Sequence, residues 1–153
     1  MFWKIGFFVL LSLVLAMGWL FIKVNPMKTE GASSWIDIYS AAPDETIKFL
    51  GTTFGTEIAE VKPGAVNGMD YTIIKAKGQI WPFAGVMALP MPGAQPHSMI
   101  YLTVKDYAKA HERMIANGAT AVVTDESAGG MKFGIYIIPG GVDIGIAEYT
   151  GKK

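Results

Sequence analysis

From position 34 onward, apolar and polar residues fall into short alternating runs and longer amphipathic ones, and the series occurs twice. Ser34-Trp35-Ile36-Asp37-Ile38-Tyr39 and Ser98-Met99-Ile100-Tyr101-Leu102-Thr103 begin 64 positions apart. Their period of two predicts strands with two distinct faces. A helical stretch follows each, over residues 43–54 and 107–117, the first with Asp44 and Glu45 in its opening turn. Gly55 and Gly118 stand where a helix favours glycine just past its end. Three further strands follow in each copy, at 57–61, 70–76 and 83–87, then at 120–124, 133–138 and 143–147. Turn residues separate them at Pro63-Gly64, in the Pro90 to Pro96 connector, at Gly129-Gly130 and at Pro139-Gly140-Gly141. The pattern predicts an α+β domain over residues 34–150, built from two βαβββ units at about 34–89 and 98–149.

The alternation also assigns faces. Ile36, Ile38, Ile100, Leu102, Val104, Ile144 and Ile146 make one apolar set, expected to pack under the helices. The other set is mixed: Trp35, Asp37 and Tyr39; Phe83, Gly85 and Met87; Met99, Tyr101 and Thr103; Asp143, Gly145 and Ala147. Aromatic walls with a few polar groups suit a small-molecule pocket, or equally a second core layer. In that set Asp37 has Trp35 and Tyr39 beside it on the same face, and its repeat mate is Tyr101. A carboxyl among aromatic rings has its pKa raised unless hydrogen-bonded, which suits an acid/base, a ligand anchor or a structural partner for Tyr101. Tyr39, Tyr101 and Thr103 add hydrogen-bonding groups, and Trp81 and Phe83 add surfaces for stacking. Gly85 and Gly145 leave room for an organic ligand, or mark a close approach of backbone. Met91 and Met99 read as core filling or as an adaptable rim. Of the two histidines, His111 is expected on a solvated helix face and His97 just ahead of Met99.

Before the repeat, residues 5–22 run for 18 positions without a charge, closed by Lys4 and Lys23, with Trp3 and Trp19 near its ends. As a helix this run is about 27 Å long, close to the hydrocarbon thickness of a bilayer. Residues 1–23 therefore read as an N-terminal transmembrane anchor, and 24–33 as a linker. The alternative is a signal peptide cleaved near Ala16-Met17-Gly18, leaving a secreted domain. Apolar residues continuing past that point favour the anchor, and the very short tail ahead of the run favours a domain outside the cytoplasm.

Composition changes the picture in two ways. The hydrophobic content of 51% and the mean hydropathy of +0.33 fit a soluble domain carrying one membrane segment. Thirteen basic residues balance thirteen acidic ones, so nothing favours nucleic acid as a partner. The absence of cysteine removes disulfides, thiolate metal sites and a cysteine nucleophile. No phosphate-loop or Ser-His-Asp pattern is legible.

The duplicated βαβββ pattern, the run Ala42-Pro43-Asp44-Glu45-Thr46-Ile47-Lys48-Phe49 leading to Phe54-Gly55, and Pro139-Gly140-Gly141 before the last strand resemble the vicinal-oxygen-chelate superfamily. This superfamily includes glyoxalase, bleomycin-resistance and dioxygenase-like domains. Trp35-Ile36-Asp37-Ile38 is similar to the opening strand of a branch whose members often lack a clear enzymatic assignment. The resemblance spans residues 34–149 and implies a curled mixed sheet with a central cup. Metal-dependent members take His, Gln or Glu ligands from the first and last strands of each unit. The matching positions here are Trp35, Gly85, Met99 and Gly145. None offers a hard nitrogen or oxygen ligand, so neither a metal nor another cofactor is expected; a shifted register brings Asp37 or Asp143 forward.

The expectation is a membrane-tethered, metal-free domain binding a small organic molecule in the cup, with a homodimer left open. Its ligand wall comprises Trp35, Asp37, Tyr39, Trp81, Phe83, Met99, Tyr101 and Thr103. One alternative is a lyase, isomerase or dioxygenase-like enzyme using Asp37 as acid/base, or a metal site in another register. Another is an interaction module whose cup is filled by its own side chains.

Overall fold

The computed structural model describes residues 29–128 and 130–150. The first unit comprises β1 (Ser33–Ser40), α1 (Pro43–Phe54), β2 (Thr56–Val66), β3 (Met69–Ala76) and β4 (Ala84–Ala88). The second comprises β5 (His97–Thr103), α2 (Tyr107–Ala116), β6 (Thr120–Ala128), β7 (Met131–Ile138) and β8 (Val142–Tyr149). All eight strands join one sheet in the order β2-β3-β4-β1-β5-β8-β7-β6. The two opening strands, β1 and β5, pair antiparallel at its centre, and each pairs in parallel with the closing strand of its own unit. The remaining neighbours are antiparallel.

The local chemistry explains the helices. Pro43 starts α1 with its fixed φ, Asp44 and Glu45 face the positive helix end, and Gly55 ends it at φ 70°. Asp106 caps α2 by accepting a 3.0 Å bond from the Lys109 amide. Ile47 and Leu50 of α1 pack on Ile74, Ala84 and Val86, with Ile36 and Ile38 beside them. Tyr107 and Ala110 of α2 pack on Val104, Ala119, Tyr136 and Ile146. The apolar face expected under the helices is covered only in part: Ile100, near the sheet centre, is 45% exposed. Two helices of 12 and 10 residues do not reach across eight strands.

Two local expectations are corrected. Pro63-Gly64 does not end its strand; β2 passes through it as an irregular stretch, with Gly64 at φ 64° and its amide bonded to Asp70. The hairpin turn is instead Asn67-Gly68, both at positive φ, the dipeptide best suited to a two-residue hairpin. His111 is not on a solvated face. It is half-buried, and its Nδ1 lies 2.8 Å from the hydroxyl of the fully buried Tyr136. That hydroxyl is 3.2 Å from the Tyr107 hydroxyl, which in turn accepts from the Asp125 amide. Residues 1–28 lie outside the described residues, and the anchor expected at 1–23 lies there with them. Among the described residues no helix is long and apolar enough to cross a membrane.

Candidate functional site

The concave face of the sheet converges on Asp37. The residue is only 7% exposed, and its carboxylate accepts three hydrogen bonds from three strands. Trp35 Nε1 donates to Oδ1 from 3.0 Å on the same strand, the Tyr71 hydroxyl donates to Oδ1 from β3, and the Tyr101 hydroxyl donates to Oδ2 from 3.0 Å on β5. Trp35 Nε1 also lies 2.7 Å from the Tyr71 oxygen, closing the network. The repeat mates Asp37 and Tyr101 thus bond to each other across the junction of the two units.

Burial pushes the Asp37 carboxyl above its ordinary range, and the three donors oppose this without cancelling it. Burial, then the charge of Asp37, holds the Tyr71 and Tyr101 hydroxyls well above their ordinary range, so both remain donors. Tyr39 is pushed up to about 12 by burial first and then by Asp37 and Asp143. A raised folded pKa stabilises the fold fully below the unfolded value, and that stability is lost as pH rises through the folded value. The stability of the native chain relative to Asp37→Asn is therefore expected to rise as pH falls from neutrality toward 3.8. Urea denaturation at a series of pH values checks this; the opposite slope would show that the donors outweigh burial.

The four positions matched to metal ligands take on a different role here. Trp35 and Met99 are buried with Ile73, Tyr101 and Ala147 in one cluster. The room expected at Gly85 and Gly145 is already taken by the chain itself. A Cβ on Gly85 would lie 1.9 Å from Cζ of Tyr71, and a Cβ on Gly145 would lie 2.1 Å from Cδ1 of Tyr101. Tyr71 crosses β4 at Gly85 to reach Asp37 on β1, which only a residue without a side chain allows. A metal does not fit these residues. The one carboxylate present has both oxygens engaged, and no group of three His, Cys, Asp or Glu side chains is assembled among the described residues.

Of the residues expected on the ligand wall, Trp35, Met99 and Tyr101 are buried in one cluster, Asp37 is bonded to Trp35 and Tyr101, Thr103 is buried farther along β5, and Tyr39 is half-buried against the cluster. Tyr39 also stacks on His97, ring centroids 4.5 Å apart. Trp81 and Phe83 are not brought into this cluster; both are exposed, on the segment leading into β4. Tyr71 was missed, although it alternates in phase with Ile73 and so shares the face of β3 that enters the cluster. Its counterpart in the second unit is Phe133, since Tyr71 pairs with Met87 as Phe133 pairs with Ala147. Tyr71, Met131, Phe133 and Ile135 pack against the buried cluster and remain partly exposed, and Phe133 meets Tyr101 edge-on at 5.9 Å.

No protein-family model and no curated protein matches the chain. Solved structures do. The methylmalonyl-CoA epimerase of Mycobacterium tuberculosis superposes with a TM-score of 0.61 at 16% identity, covering 79% of this chain and 90% of its own. A Streptomyces coelicolor methylmalonyl-CoA epimerase variant in complex with 2-nitronate-propionyl-CoA gives 0.62 at 12%, covering 82% and 99%. A hypothetical protein from Bacillus halodurans gives 0.62 at 12%, covering 82% and 96%. At these identities the likeness establishes the fold alone: the chain shares with these structures a curled mixed sheet carrying two helices.

Proposed function

We propose that the chain is a metal-independent binding domain of glyoxalase-like fold, held at a membrane by residues 5–22, that takes a small, largely apolar organic molecule in its cup. The observation carrying this reading is that Tyr39, Tyr71, Met131, Phe133 and Ile135 pack against the buried cluster beside the Asp37 network and stay partly exposed. Such a wall supplies apolar contact area with phenol groups at hand, the composition of a small-molecule site. Trp35, Asp37, Met99, Tyr101 and Thr103 then act by shaping the cup.

A second reading has two observations in its favour: the raised pKa of Asp37 and the epimerases among the structural neighbours. In it, Asp37 is the acid/base of an isomerase or lyase. The binding reading is favoured because Asp37 is only 7% exposed and three protein donors take three of the four lone-pair positions of its carboxylate, which leaves a substrate little access to it.

Native mass spectrometry of the full chain, with a thermal-shift screen of small aromatic and aliphatic compounds, tests the reading. The expected result is a bound organic molecule that Phe133→Asp abolishes; an empty chain that no compound stabilises would sink the proposal. Asp37→Asn separates the two readings. Binding weakens modestly if Asp37 only shapes the cup, while acid/base turnover falls by about 10²-fold or more.

A further inference from the structure

The segment leading into β4 reads Gly78-Gln79-Ile80-Trp81-Pro82-Phe83, six residues without a charge. Ile80 is 83% exposed, Trp81 68% and Phe83 38%. Single exposed apolar residues are ordinary, but a contiguous aromatic tip on a loop is not. Its place in the fold adds meaning. β4 runs parallel to β1, with Ile36 opposite Ala84, and the Ile36 amide donates to the Phe83 carbonyl from 3.1 Å. The loop therefore projects from the end of the sheet at which the chain enters β1. At that same end α1 finishes in Phe54, which is 69% exposed, and the exposed Lys77 packs beside Gly55.

Only six residues, 23–28, separate the uncharged run from the first described residue, Thr29. Fully extended, they span at most about 20 Å. A bilayer holding residues 5–22 is thus within reach of the end of the sheet that carries the loop. Trp, Pro and Ile on a loop, with a lysine close behind, have the chemistry of a segment that settles at headgroup level. We propose that Ile80, Trp81 and Phe83 insert into the interface of the membrane that holds the N-terminal run, fixing the domain with this end toward the lipid. This inference rests on the reading of residues 5–22 as an uncleaved anchor.

The cysteine-free chain makes the test direct. Gln79→Cys at the loop and Met91→Cys in the β4–β5 connector, at the opposite end of the sheet, are each labelled with the fluorophore NBD. The full chains are then reconstituted in phosphatidylcholine vesicles containing doxyl-labelled lipid. The expected result is resistance to alkaline carbonate extraction, loss of fluorescence at position 79 and none at 91. Adding Ile80→Ser with Trp81→Ser to the Gln79→Cys chain should reduce the quenching, since neither side chain contributes to the core. Extraction by carbonate refutes the anchor, and this geometry with it. Resistance to extraction with position 79 unquenched overturns the loop inference while the anchor stands. A blue-shifted but unquenched label at 79 means that a second copy of the chain covers the loop, which also overturns it.

Discussion

Replacing Asp37 by alanine is expected to lower stability by about 2–4 kcal/mol, read as a reduced urea midpoint at unchanged slope. The three donors do not suffer equally. Trp35 Nε1 retains the Tyr71 oxygen at 2.7 Å, and Tyr71 is half-buried, so its hydroxyl can turn to water. Tyr101 is buried, and the acceptor it loses is Asp37. One stranded buried hydroxyl costs about 1–3 kcal/mol, and the small void left by the carboxylate adds to it. Asp37→Asn should cost less, since one oxygen remains, but its NH₂ group then faces a donor. A loss under about 0.5 kcal/mol for the alanine variant would mean that the network does not hold the cup together.

The second large effect is expected at the two strand glycines. Alanine at Gly145 places a methyl 2.1 Å from the Tyr101 ring, and alanine at Gly85 places one 1.9 Å from the Tyr71 ring. Neither ring can withdraw without giving up its bond to Asp37. Overpacking of this kind costs about 1–3 kcal/mol, and the lost hydrogen bond adds about 1 kcal/mol. A double-mutant cycle identifies the cause. Removing the ring in Tyr71→Ala should make Gly85→Ala nearly neutral, giving a coupling energy of more than about 1 kcal/mol. Additive losses would show that the glycines serve the backbone alone.

These two predictions mark where the sequence stopped being legible. Alternation along Trp35-Ile36-Asp37-Ile38-Tyr39 and its copy 64 positions later assigned the strand faces, and the doubled order of elements assigned the fold, because a period of two and a repeat are local signals. That Trp35, Gly85, Met99 and Gly145 stand at the ligand positions is what the family resemblance implies, not something a local pattern carries. What fills those positions could be read from neither. Tyr71 reaches Asp37 across an intervening strand, and that depends on the order β3-β4-β1, which no window of sequence contains. Sequence alone leaves Gly85 and Gly145 open between room for a ligand and a close approach, and the structure puts the rings of Tyr71 and Tyr101 there. His111 was misjudged for a similar reason: its partner Tyr136 comes from a strand 25 positions away, beneath the helix.

The most direct measurement is the metal content of the purified full chain after incubation with Mn²⁺, Fe²⁺, Co²⁺, Ni²⁺ and Zn²⁺ followed by desalting. A cup closed by Trp35, Tyr71, Tyr101 and an engaged Asp37 should retain no stoichiometric metal and show no metal-dependent gain in thermal stability. About one retained equivalent per chain, lost in Asp37→Asn, would instead mean that the carboxylate is a ligand and that the cup is a metal site.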